Sequence, residues 1–441
     1  MNILGIGFYD DFARFFHALG DNFNKRGVKF NYLSIYFSGF FYSRLRKRNA
    51  SWMVVHVWRR YFFKRRYYQM AATADEYRGV NLDKAIRYHV CSLPKHKEYY
   101  RAIACAYIDY AFQYFKCKKY DAMIVSGDSR LQCTVFIEVA KQFNIKIYYF
   151  EQGAFDTTFI DCWGVNSNSG ARHINATRST SQDMMLQLLA LTIEKKKNKK
   201  FSRTKIYRLS DKILNILLLI FFRQSEILEG LGIVKHKIDL TTDVDTEQNN
   251  EYILFAAQVP HDVNMILHSP AFQNHYQIIR FINESIPDKY NIIVREHPLY
   301  KSRYEPEFYE YIRDNQRVIL DNTSQLHDLI KSSSLVVVNN STVGVEALVL
   351  GKRVFVTGDA YYDTFSGVWR FGDASDREKL TAGNYTFDIN DRERSHAELA
   401  TLLDDYLYSG HFRDDDLSFT KTIAEDIING KVKCEKNTMV D

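Results

Sequence analysis

Apolar and polar positions alternate between strand-like runs and helix-like periodicity in both halves of the chain. In the first half, MNILGIGF (1–8) reads as a buried strand. Residues 11–26 carry apolar side chains at helical spacing and stop at Gly27, and 28–35 read as the next strand. A long, mainly helical stretch reaches about residue 119. It is followed by a strand and loop at 121–129, a helix at 131–144, and a strand and loop at 145–153. The second half is plainer. Strands are predicted at 251–258, 291–295, 317–320, 335–338 and 353–357, with helical patterns at 263–286, 305–315, 325–332 and 343–350.

Strand, helix, strand at this spacing implies parallel sheets joined by right-handed crossovers. The expected class is α/β, with two Rossmann-like lobes and an inter-domain cleft. The polar, acidic stretch 236–250 reads as the linker. It leaves 1–235 as an N-terminal lobe with helical basic insertions, 251–396 as the second lobe, and 397–441 as a helical tail that packs back on the body.

At 441 residues, two domains are the default. Tyr and Phe together number 61, enough to fill cores and also to line a sugar cleft or face a membrane. The six cysteines form no CxxC pair and read as reduced thiols, mostly buried. The N-terminus has no basic leader, and no apolar run approaches the length of a membrane span. The longest, 213–222, is interrupted by Asn215. A cytoplasmic protein is therefore expected, with room for peripheral attachment to the inner face of the cytoplasmic membrane.

The net charge of +6 is uneven. Residues 41–70 hold nine Lys/Arg and no acid, and 195–212 hold nine Lys/Arg and one acid, so the remainder is net −11. A nucleic-acid binder would be more uniformly basic. The two patches, 41–70 and 195–222, suit an anionic membrane surface, or a solvated helix face beside an inter-domain packing helix.

Ligands of open parallel sheets bind beyond the C-terminal strand ends. The second half places Gln258 and Asp262, then Arg295-Glu296-His297-Pro298, then Asn339 to Glu346 at such ends. Ser341 and Thr342 stand where a strand hands over to a helix, so backbone N–H groups and hydroxyls there could hold an anion. Gly344 would admit a ligand close to the backbone, and Glu346 could accept from ribose hydroxyls. A plain Ser cap with a capping-box Glu is the alternative. Asp262 is either an N-cap or a carboxylate for chemistry. Arg295 could pair with a phosphate or carboxylate, and His297 could move protons near neutral pH. The first half offers Asp128 and Arg130, then Glu151 and Gln152, at its own strand ends. Sugar transfer needs two carboxylates, one as acid/base and one as nucleophile or stabiliser. The run 414–416 contains an Asp-x-Asp, but its charged surroundings favour a solvated tail, and no metal site is assigned.

GDSR (127–130), FEQGAF…GVNSNS (150–169), QVPHD (258–262), REHP (295–298) and NSTVGVEALVLGKRVFVTGDAYYD (340–363), in this order, resemble the capsule polysaccharide biosynthesis family. The likeness is to the KpsS/LipB-type β-Kdo glycosyltransferases, and more distantly to the KpsC type. The resemblance implies a GT-B fold and a retaining transfer of Kdo from CMP-β-Kdo to a lipid or glycan acceptor. It implies Asp262 as nucleophile, Glu151 as acid/base and His297 near the donor. Gln258, Arg295, Ser341, Thr342 and Glu346 would bind the donor, and Asp128, Arg130, Gln152 and Asn166 are acceptor-side candidates. No cofactor beyond the nucleotide sugar is expected. The rivals are a non-catalytic partner in capsule assembly or export and a GT-B transferase using another nucleotide sugar.

Overall fold

The computed structural model describes residues 1–92, 96–174, 188, 200–222, 251–260 and 262–434. The expected linker, 236–250, lies outside the described residues, as do 195–199 of the second basic patch. The chain divides into two units. One comprises Met1–Val165, Lys197–Gly232 and Tyr406–Asp441, and the other Asn166–Lys196 and Ile233–Asp405. Residues 166–174 thus group with the second unit, and the chain returns to the first at Tyr406.

The first unit is built on seven strands: β1 (Asn2–Gly7), β2 (Lys29–Ser34), β3 (Ala50–Trp52), β6 (Ala122–Ser126), β7 (Lys146–Gln152), β8 (Thr158–Asp161) and β15 (Leu407–Tyr408). A separate hairpin pairs β4 (Glu76–Tyr77) with β5 (Val80–Asn81). The main sheet has the order β15-β8-β7-β6-β1-β2-β3. It is parallel from β7 to β3, while β8 pairs antiparallel with both β7 and β15. The antiparallel edge is not legible in the periodicity. The helices are α1 (Asp10–Asn24), α2 (Phe37–Leu45), α3 (Met53–Phe63), α4 (Arg65–Ala71), α5 (Leu82–Ser92), α6 (Lys97–Cys117), α7 (Leu131–Gln142) and α8 (Lys205–Phe222).

Aromatic side chains fill this core. Phe15 stacks on Phe150 at 4.5 Å between ring centres, and Phe412 packs on Phe12 at 4.8 Å. Gly5 of β1 exists for the same reason: a Cβ there would lie 2.5 Å from the Phe30 ring and 2.8 Å from Phe16. The final helix, Thr420–Ile428, buries Ile423, Ala424 and Ile427 in the same cluster, so the tail packs on the first unit's core.

Among its described residues the second unit has six strands, β9 (Tyr252–Ala256), β10 (Asn291–Arg295), β11 (Val318–Leu320), β12 (Leu335–Val338), β13 (Val354–Val356) and β14 (Val368–Arg370). All pair parallel, in the order β11-β10-β9-β12-β13-β14. This is the doubly wound dinucleotide-binding arrangement, whose crossover point lies between its first and fourth strands, here β9 and β12. The α/β class and the two Rossmann-like units follow. Two expectations are corrected. The helical pattern 263–286 is two helices, Val263–Leu267 and His275–Ser285, because Pro270 cannot continue a helix and Asn274 caps the second by accepting from Gln277 N–H. The sixth strand, β14, was not read from the sequence.

The cysteine expectation also changes. Cys162 and Cys434 are joined, with Cα atoms 5.1 Å apart. Cys105 and Cys133 are buried thiols, and Cys91 and Cys117 are exposed. No described helix is long and apolar enough to cross a membrane.

Candidate functional site

In the second unit, Gln258 and Asp262 follow β9, and Asn339 to Thr342 follow β12, so both sets flank the crossover point where open α/β sheets bind ligands. Asp262 occupies the N-cap position of the five-residue helix Val263–Leu267, yet its side chain makes no capping bond. The side-chain amide of Asn264 donates to it at 3.3 Å.

The REHP segment divides its labour. Glu296 is buried as a brace. It accepts from Ser302 N–H at 2.9 Å, from the Asn322 side-chain amide at 2.5 Å and from the Tyr309 hydroxyl. It thereby shapes the turn that carries His297. The His297 N–H donates to the Tyr304 hydroxyl at 2.9 Å, and that hydroxyl donates to the Gln258 carbonyl at 3.0 Å. The loops after β9 and β10 are stitched together through one phenol. Burial pushes the His297 imidazole below its ordinary pKa, and the negative charge of Asp262 opposes this. Arg295 donates to the Asp321 carbonyl at 3.1 Å. The Gln258 side chain lies against the Met265 sulfur at 3.8 Å.

The turn after β12 departs from the expected anion cradle. Ser341 Oγ accepts from Val343 N–H at 3.3 Å, and the N–H groups of Gly344, Val345 and Glu346 are bonded to the carbonyls of Ser341 and Thr342. These donors are spent inside the turn, while Thr342 holds the N-cap position of the next helix without a side-chain capping bond, so the capping-box alternative is not formed either. Thr342 and Glu346 are half-buried on this turn and the helix that follows. Gly344 faces the Tyr362 ring and not an open approach. Sequence reasoning passed over Asn340. Its amide donates to the carbonyls of Asn264, His268 and Asp359 at 3.1, 3.2 and 3.3 Å, tying three strand-end loops together. The Oδ1 atoms of Asn264 and Asn340 are buried without a partner among the described residues, leaving two acceptors at the crossover point.

Asn166, placed on the acceptor side by the sequence, belongs to the second unit, in a tight turn where it adopts φ 53°. Its neighbour Ser167 hydrogen-bonds His268 at 2.6 Å. Arg172 clasps the buried Asp363 through two bonds of 2.8 and 2.6 Å.

The first unit has its own crossover point, between β1 and β6. Ser126 to Arg130 follow β6, and a Cβ on Gly127 would lie 3.8 Å from a Glu151 carboxylate oxygen, so Glu151 reaches the same loop. Arg130 sits over the rings of Phe8 and Tyr88, 5.7 and 5.1 Å from their centres. Asp128 accepts from Ser129 at 2.6 Å and from Val165 N–H at 3.2 Å, so it braces the loop. Glu151 accepts from Gln152 N–H at 3.0 Å, and the Gln152 side chain is exposed. The described part of the second basic patch is partly neutralised. Lys200 pairs with Asp156 at 2.5 Å, and Arg203 with Asp10 at 2.5 Å and with Asp211. Asp414, expected in solvent, is buried and accepts from His411 N–H at 2.9 Å.

Comparison with known proteins gives a coherent neighbourhood. Residues 121–408 match the pattern described as capsule polysaccharide biosynthesis protein. Protein FixF of Sinorhizobium fredii (strain NBRC 101917 / NGR234) is 30% identical over 188 residues, which is 42% of this chain and 44% of that protein. The chain thus matches under half the length of this curated relative. Among solved structures, the β-Kdo 2,7 transferase KpsC of Thermosulfurimonas dismutans is similar at 15% identity. That similarity covers 73% of this chain and 89% of that one, with a TM-score of 0.40. The UDP-GlcNAc 2-epimerase of Neisseria meningitidis is similar at 11% identity over 97% of this chain and all of that one (100%), with a TM-score of 0.32. The matched span is well over half of the sequence and includes each of the five segments between 127 and 363 that carry the resemblance: the chain belongs to the capsule polysaccharide biosynthesis protein family.

Proposed function

We propose that the protein is a retaining GT-B glycosyltransferase that moves Kdo from CMP-β-Kdo to a lipid or glycan acceptor during synthesis of a surface polysaccharide. The observation that carries this reading is Asp262, a carboxylate at the crossover point that does not cap its helix and stands within electrostatic reach of His297. In the first step an Asp262 oxygen bonds to the anomeric carbon while the bond from that carbon to the CMP phosphate oxygen breaks, and CMP leaves with the electron pair. In the second, an acceptor hydroxyl attacks the same carbon, its proton passes to a base, and the Asp262 carboxylate is released. Two inversions give retention. Glu151 is the proposed base. Arg295 is the proposed cation for the leaving phosphate, so the reading calls on no metal. The unpartnered Asn264 and Asn340 oxygens would accept from donor hydroxyls or amines.

Incubation with CMP-Kdo in the absence of acceptor, followed by intact-mass measurement, tests the reading. The wild type should release CMP and gain one Kdo, and Asp262→Asn should gain none. Transfer by Asp262→Ala within a few-fold of wild type would end the nucleophile assignment. A preference for UDP- or GDP-sugars would redirect the donor. No CMP release, together with no thermal shift on adding CMP, would support a non-catalytic partner in assembly.

A further inference from the structure

The first basic patch forms a surface that the transferase reading leaves unused. Helices α3 and α4 turn one stripe inward, where Val57, Trp58, Tyr61 and Tyr68 join the core. Their outward face should then be polar, as in an ordinary surface helix. It is not. Phe62, Phe63, Tyr67 and Met70 are 59%, 75%, 51% and 74% exposed. Between and beside them stand Arg59, Lys64, Arg65 and Arg66, all exposed. Residues 22–74 contain no Asp or Glu. A cavity of about 580 Å³ opens beside this face, lined by His56, Arg59, Arg60, Phe63, Lys64 and Lys118 among others. Asp109, a carboxylate of the adjoining cavity, already accepts from Tyr68 at 2.9 Å and pairs with Arg78 at 2.7 Å.

Apolar side chains as exposed as Phe63 and Met70, set close together, mark an interaction surface. Cations interleaved with them select one that is apolar below and anionic on top, which is the interface of a bilayer containing acidic phospholipid. Arg48 and Arg46 of the same patch are engaged elsewhere, Arg48 with Asp21 at 2.5 Å and Arg46 over the Tyr42 ring at 3.6 Å. The contact therefore centres on the α3–α4 corner. Helix α8 also shows an outward apolar stripe (Ile206, Leu209, Ile213), but its neighbours Arg203 and Asp211 are paired with each other, and its charge is less one-sided. We propose that the α3–α4 corner is a docking surface for anionic membrane, with Phe62, Phe63 and Met70 entering the acyl boundary and Arg59, Lys64, Arg65 and Arg66 meeting phosphate headgroups.

The test is co-sedimentation of the full chain with phosphatidylcholine vesicles prepared with and without phosphatidylglycerol, a measurement independent of any transfer activity. Binding is expected only with phosphatidylglycerol and should weaken as salt rises. Replacing Phe62, Phe63 and Met70 together by Ser, or Arg59, Lys64, Arg65 and Arg66 together by Gln, should each lower partitioning at least about tenfold. All seven residues are exposed, so the variants should keep the wild-type fold by circular dichroism. Equal binding to neutral vesicles, or wild-type binding by both variants, would overturn the proposal. So would loss of binding only when Ile206, Leu209 and Ile213 are replaced by Ser. A lipid-free dimer that the Phe62/Phe63/Met70 variant dissociates would instead make this face an interface between copies of the chain.

Discussion

The phenolic oxygen of Tyr362 occupies the space that a side chain on Gly344 would need. An ideal Cβ there would stand 2.3 Å from it, and the same hydroxyl donates to the Ser341 carbonyl. The glycine and the tyrosine together fix the turn that carries Ser341 and Thr342. Gly344→Ala should cost about 1–3 kcal/mol of stability through overpacking. Tyr362→Phe, which loses only the hydrogen bond, should cost about 1 kcal/mol. Urea titration of the two variants checks the order.

Glu296 is the brace of the REHP turn, with Ser302, Tyr309 and Asn322 all donating to it. Glu296→Ala strands those donors in a buried place and should destabilise the chain by about 2–4 kcal/mol. Hydrogen exchange of residues 297–304 should quicken. Unchanged exchange there would show that the turn holds itself.

The Arg172–Asp363 clasp is lopsided, with Asp363 1% exposed and Arg172 27%. Removing the arginine leaves a charge buried, whereas removing the carboxylate lets the arginine reach water. Arg172→Ala should therefore cost about 3–5 kcal/mol and Asp363→Asn clearly less. Burial already raises the Asp363 carboxyl, so the Arg172→Ala penalty should shrink as pH falls and the carboxyl takes a proton. Denaturation curves at neutral and mildly acidic pH measure both effects.

His17 and His411, both in the first unit, are pushed down to about 4 from 6.5, chiefly by burial. The unfolded chain takes up these protons near pH 6.5, and the folded chain resists until about 4. Stability from these groups is whole above about 6.5, is lost as pH falls, and levels below about 4. The melting temperature should drop between pH 7 and 5, and the slope should be shallower in His17→Gln. An equal slope in that variant would assign the acid sensitivity elsewhere.

Strand β12 was legible to the residue, because Leu335–Val338 is a short apolar run between Ser334 and Asn339. The crossovers followed from its neighbours, since a parallel sheet admits few arrangements of alternating strands and helices. That Asp262 and Ser341 would follow strands was legible too, because polar residues come directly after apolar runs. What each of those residues does was not. Ser341 capping its own turn, Glu296 bracing a loop, Arg203 neutralised by Asp10, and Arg172 meeting Asp363 are outcomes of which side chains arrive within hydrogen-bond reach. The antiparallel pairing of β8 with β15 joins segments nearly 250 residues apart and has no local signature. Periodicity records which face of an element leaves water, and so the sequence determined the α/β elements and their order. Pairing and charge balance depend on distances between segments remote in the chain, and only the tertiary structure decides those.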